Sequence, residues 1–87
     1  MSPQNESGHR PRLTLLGRPD CHLCEEFEEE LRAHPRAQVF EIQRADVDSR
    51  ADWRDQFGRR IPVLLDQNGE LVCEVHFDAA ALNRLTA

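Results

Sequence analysis

A chain of 87 residues holds one small core rather than two, so any site must be assembled on a single domain. Its 39% hydrophobic and 31% charged residues are ordinary globular composition, which excludes a wholly disordered or membrane-embedded chain. The net charge of -5, with all 11 cationic side chains arginine, leaves no basic footprint for a phosphate backbone, so nucleic acid is excluded as a partner.

Residues 1–11 are polar and rich in Ser, Pro, Asn and Gln. They have little to bury and read as a flexible tail, with residues 12–87 as the single domain. No stretch approaches the roughly 20 apolar residues of a spanning helix, and the N-terminus lacks an apolar signal core. A cytoplasmic location, no membrane partner and a monomer are therefore expected.

The short apolar run at residues 12–16, stopped by Gly17-Arg18-Pro19-Asp20, suits a buried strand. From Cys21, the residues Leu23, Cys24, Phe27 and Leu31 fall on one helical face, and Glu25, Glu26, Glu28, Glu29 and Arg32 on the other. That pattern predicts an amphipathic helix ended by His34-Pro35. Its acidic start and its Arg32, His34 and Arg36 complement the helix dipole. Glu28 and Arg32 are spaced for an i,i+4 pair worth about 0.3–0.5 kcal/mol.

Residues 37–42 predict a second strand, with Val39, Phe40 and Ile42 as burial candidates. Ser49 then opens a short helix carrying Trp53 and Phe57, closed by Gly58. Residues 62–65 and 71–77 read as two strands around Asp66-Gln67-Asn68-Gly69, where Asn-Gly is the strongest short hairpin signal. Asp78 caps a last helix over residues 79–85, with Leu82 and Leu85 covering the sheet. The order βαβαββα predicts an α/β fold: a four-stranded mixed sheet flanked by helices on both faces.

The chemistry lies in Cys21 and Cys24. Three cysteines cannot all pair within one chain, and a close pair without an export signal points to catalysis or metal binding rather than to a structural bridge. Cys21 follows a strand and a turn at the expected cap of a helix, where free backbone amides and the positive dipole end favour a thiolate. Helix-terminus thiols of this kind have pKa values lowered to roughly 3.5–7.5. Cys24 lies one turn later and on the core side, within reach of a disulfide. His22 is either a tuner of that pair or an exposed spacer.

Cys21-His22-Leu23-Cys24 after a first strand, with Arg59-Arg60-Ile61-Pro62-Val63-Leu64 before a hairpin, resembles the two defining segments of glutaredoxin-like proteins of the thioredoxin fold. The resemblance spans residues 12–85. It implies a thioredoxin-like fold and thiol-disulfide exchange, with Cys21 attacking and Cys24 resolving. It also implies that the bond before Pro62 is cis, that Pro62 faces the dithiol, and that the backbone of Ile61 pairs with bound substrate. No bound cofactor is implied; the reductant is an external thiol pool such as glutathione, and the partners are protein disulfides or glutathione itself. Arg18, Arg59 or Arg60 would then meet the carboxylates of the tripeptide and Asp78 its amino group, the alternative being solvated charges and a helix cap. Two departures are visible: His22 replaces a proline, and Val75-His76-Phe77-Asp78-Ala79 replaces a Gly-Gly segment before the last helix.

Two rival readings stand beside this one. Cys73 and His76 would complete a Cys3His zinc set with Cys21 and Cys24 on ligand types alone. Strand alternation opposes it, placing Cys73 with Leu71, Val75 and Phe77 and His76 with Val72 and Glu74. Cys73 then reads as a small core hydrophobe and His76 as a surface residue. The other rival is a non-catalytic interaction module on the same fold.

Overall fold

Strand β1 (Arg12–Gly17) runs through the middle of the sheet in the computed structural model, which describes residues 10–85. Leu13, Leu15 and Leu16 are buried along it, so both of its faces are covered. Helix α1 (His22–Ala33) follows, then β2 (Glu41–Asp46), α2 (Ala51–Phe57), β3 (Val63–Leu65), β4 (Leu71–Glu74) and α3 (Ala79–Leu85). The strand order is β2-β1-β3-β4. β1 and β2 are parallel, whereas β1 with β3 and β3 with β4 are antiparallel.

Two apolar layers hold the sheet between helices. Leu13, Leu15 and Leu64 meet Phe27 and Leu31 of α1 and Leu82 of α3 on one face. Leu16, Val63 and Leu65 meet Val47 and Phe57 on the other. Fully burying each such side chain contributes about 1.5–3 kcal/mol. This is the expected mixed sheet with helices on both faces.

Several boundaries differ from expectation. The second strand starts at Glu41, because Ala37–Val39 form a 3-10 turn after α1. Phe40 is buried as expected, but Val39 is exposed. β2 is an edge strand on which only Ile42 and Ala45 are half-buried, so its sequence carries too weak an apolar alternation to mark it. α2 begins at Ala51, and Ser49 belongs instead to a second 3-10 turn, Val47–Ser49. Leu23 and Leu85 are exposed rather than packed; Leu23 lies in the first turn of α1 and Leu85 at the end of α3.

The hairpin forms at the predicted turn. Asp66 Oδ1 accepts from the amides of Asn68 and Glu70, and Gly69 takes φ 80°, which glycine adopts without steric cost. β4 stops at Glu74 instead of reaching Phe77. Opposite β3 it carries a bulge: Leu65 pairs with Leu71 and Leu64 with Cys73. The extra residue breaks strict alternation, which leaves Leu71 exposed while Val72, Cys73 and Phe77 all pack on the α1 layer.

Of the expected tail over residues 1–11, residues 1–9 lie outside the described residues. Pro11 extends the ladder, its carbonyl accepting from Glu41 N at 2.8 Å, and Arg10 donates to the Gln38 carbonyl. Among the described residues, no helix is long and apolar enough to cross a membrane.

Candidate active site

The site begins with the loop between β1 and α1. Asp20 takes φ 62°, a left-handed conformation that Asp tolerates better than most residues, and it turns the chain so that Cys21 becomes the N-cap of α1. Cys21 Sγ accepts the amide of Cys24 at 3.1 Å, doing for this helix what a serine or aspartate oxygen does elsewhere. Cys21 and Cys24 are joined as a disulfide, with Cα atoms 5.2 Å apart. Cys21 is half-buried and Cys24 fully buried. The asymmetry comes from helix geometry, because Cys24 shares the inward face with Phe27 and Leu31.

Gly17 gives the buried sulfur its space. A Cβ built on Gly17 would stand 2.8 Å from Cys24 Sγ, closer than real Cβ atoms come, and 3.2 Å from Cys24 Cβ, a tight contact. Any other residue at the end of β1 would push the dithiol outward. The sequence shows Gly17 only as a strand terminator; nothing in its local pattern announces a close approach to a residue seven positions on.

The Ile61–Pro62 peptide bond is cis, as the resemblance implied. Pro62 is fully buried, and Ile61 packs half-buried beside Leu16, Val47 and Phe57. The carbonyl of Pro62 accepts from Val75 N at 2.7 Å, which ties this loop to the end of β4. Val75 itself has φ 69°, with His76 N bonded back to Glu74 O at 2.7 Å. That tight three-residue turn is strained for a β-branched residue.

The remaining candidate residues are engaged within the protein. Arg18 donates from Nε to Asp48 Oδ2 at 2.8 Å, from Nη2 to Asp48 Oδ1 at 3.1 Å, and from Nη1 to the Gly58 carbonyl at 2.8 Å. It thus braces the dithiol loop against the segment that leads to Pro62. The hydrogen bond and charge of Asp48 raise Arg18, and Arg18 in turn lowers Asp48. Arg60 donates from Nε to Glu74 at 2.9 Å and lies over the Phe57 ring. Asp78 Oδ1 accepts from the amides of Ala80 and Ala81, the cap the sequence predicted. Arg59 is exposed. None of these contacts gathers Arg18, Arg60 and Asp78 into one shared anion site. His22 is exposed and pairs with Glu26 at 2.8 Å.

Cys73 is half-buried and unpaired with another cysteine. Burial pushes its thiol up, partly opposed by a backbone hydrogen bond at Asp78, which disfavours the nucleophilic thiolate. Among the described residues, no group of three or more His, Cys, Asp or Glu side chains is placed to hold a metal ion. His76 lies beyond the end of β4, past the turn at Val75.

A family model described as "Glutaredoxin-like domain (DUF836)" matches residues 12–85. No curated protein matches the chain. Among solved structures, the solution NMR structure of protein Ne2328 from Nitrosomonas europaea is similar at 26% identity and a TM-score of 0.78, covering 88% of this chain and 92% of that one. The X-ray structure of the structural genomics target protein XcR50 from X. campestris is similar at 35% identity and a TM-score of 0.63, covering 85% of this chain and 93% of that one.

Proposed function

Because the chain belongs to the glutaredoxin-like domain family and has a thioredoxin-like α/β fold, we propose that it carries out thiol-disulfide exchange at Cys21 and Cys24, reducing protein or glutathione mixed disulfides. A thiol-redox role fits the cysteine pair at disulfide distance. The observation that carries the finer reading is the N-cap. Cys21 Sγ sits at the positive end of α1 and accepts a backbone N–H from Cys24, an arrangement that stabilises a thiolate over a thiol once the bond is reduced.

The reduced Cys21 thiolate attacks a substrate disulfide, forms a mixed disulfide and expels one substrate thiolate. Cys24, after losing its proton to solvent, attacks Cys21 Sγ, closes the intramolecular bond and expels the second. The substrate gains two electrons and the pair loses two. An external thiol such as glutathione then returns the dithiol to its reduced state.

The internal contacts of Arg18, Arg60 and Asp78 favour a protein disulfide as substrate over free glutathione, since a tripeptide would have to compete with Asp48, Glu74 and the α3 amides for them. Equilibration in glutathione buffers tests the reading. One two-electron couple should titrate, with the Cys21–Cys24 linkage found by peptide mapping, and it should vanish in Cys24→Ser. Free thiols at both positions across the whole range would contradict it.

A further inference from the structure

Arg44 and the buried half of the dithiol both border the space that Gly17 leaves. The point where a Gly17 Cβ would stand is 2.8 Å from Cys24 Sγ and 3.4 Å from Arg44 Nη2, so the guanidinium and the sulfur border the same gap. Arg44 lies on β2 opposite Leu15. Its Nη1 donates to Glu28 Oε1 at 2.8 Å, which leaves Nη2 on the Gly17 side. Glu28 also accepts from Arg32 Nε at 2.9 Å. One carboxylate shared by two guanidiniums leaves a net positive charge. Burial alone would raise Glu28, but the hydrogen bonds from Arg32 and Arg44 together outweigh it and hold the carboxyl below its ordinary value, so the cluster keeps that charge at neutral pH.

The other charged groups at this end of the sheet are committed elsewhere or stand in water. Arg18 is turned to Asp48 and Gly58, and Asp46 Oδ1 accepts from Asp48 N. His22 pairs with Glu26, and Arg60 with Glu74. Asp20 and Glu25 are exposed. From β3, the α1 layer receives Leu64, and from α3 it receives Leu82, neither of which carries charge. Among the described residues, Arg44 is thus the cation that borders the gap beside Cys24.

We propose that Arg44 stabilises the Cys24 thiolate during the resolving step. The inference rests on the exchange reading above. In the mixed disulfide, Cys21 is bonded to the substrate sulfur and Cys24 is a buried thiol, whose ionisation burial disfavours. The Arg44 guanidinium, exposed itself but bordering the same gap as the buried sulfur, offsets that cost, because charges are screened less around a buried group than in bulk water. The Cys24 proton passes to solvent, Cys24 Sγ bonds to Cys21 Sγ, the Cys21–substrate bond breaks, and the departing thiolate takes up a proton. Arg44 acts through Cys24, as a positioning residue for its negative charge.

Rapid-quench intact-mass kinetics test this. Reduced protein is mixed with glutathione disulfide at pH 6–10, and the phase that does not depend on disulfide concentration is taken as resolution. Arg44→Gln and Arg44→Met, the latter keeping the aliphatic stem on α1, should each move the resolution profile up by about one pH unit. Below the pKa the thiolate fraction then falls about tenfold, and the greater nucleophilicity of a more basic thiolate recovers about threefold of that. The expected result is resolution about threefold slower at pH 7 and no slower at pH 10. Arg44→Lys should restore the wild-type profile. An unchanged profile in a folded neutral variant overturns the proposal, and so does equal slowing at every pH, which would mark a merely structural role. A wild-type pair that glutathione disulfide leaves fully reduced would instead overturn the exchange reading, and this inference with it.

Discussion

Gly17 is the residue on which the geometry of the dithiol turns. Its importance comes from what its missing side chain admits: the Cys24 sulfur on one side and Arg44 on the other. Gly17→Ala should therefore cost about 1–3 kcal/mol, the usual range for overpacking a filled core, and should alter the potential of the pair by displacing Cys24. A urea unfolding midpoint equal to the wild type would show that the site has slack the structure does not reveal. Cys21 and Cys24 were legible in the sequence because their chemistry is local: a strand, a turn and a helix start, with one helical turn between the sulfurs. Gly17, Arg44 and the engagement of Arg18 with Asp48 were not. They depend on contacts that cross between elements, such as the 30 residues from Arg18 to Asp48, and no periodicity encodes those.

At the scale of elements, the strands buried on both faces and the long amphipathic helix read clearly, whereas the edge strands did not. β2 carries polar residues on most positions, and β4 breaks its alternation at the bulge. The expected strand therefore ran through Val75, where the structure has a positive φ and a turn. Left-handed backbone at a non-glycine residue costs of order 1–3 kcal/mol, and glycine relieves it at an entropic cost of about 0.5–1 kcal/mol. Val75 is only half-buried, so Val75→Gly should be neutral or stabilising by up to about 1 kcal/mol, read from the thermal midpoint. A loss of more than about 2 kcal/mol would mean that the valine side chain contributes more packing than its exposure indicates. Asp78 is a case where one residue served two readings: the cap is formed, and that same engagement weakens its candidacy as a ligand for an amino group.

For the whole molecule, ion pairs link neighbouring elements and loops. Glu28 links α1 to β2 through Arg44, and Asp48 links the turn before α2 to the dithiol loop through Arg18. Asp52 pairs with Arg50 beside Trp53. Hydrogen bonds from arginine lower both Asp48 and Asp52, and in Glu28 they overcome the opposing effect of burial. A carboxyl with a lowered folded-state pKa contributes its stability above the unfolded value, near 4, and loses it as pH falls through the folded value. The urea midpoint should therefore hold from pH 7 to about pH 5 and decline below about pH 4. An undiminished midpoint at pH 3 would mean that these pairs add nothing.

The proposed division of labour between the two cysteines rests on the same architecture, since α1 presents Cys21 at its cap and turns Cys24 into the core. Intact-mass analysis of Cys21→Ser and Cys24→Ser after exposure to glutathione disulfide reads it directly. Cys24→Ser should hold a persistent glutathionyl adduct on Cys21, because no neighbouring thiol remains to displace it. Cys21→Ser should hold none, because a hydroxyl cannot replace the thiolate and Cys24 is shielded. An adduct on Cys24 in Cys21→Ser, with none on Cys21 in Cys24→Ser, would reverse the assignment of attacking and resolving thiols.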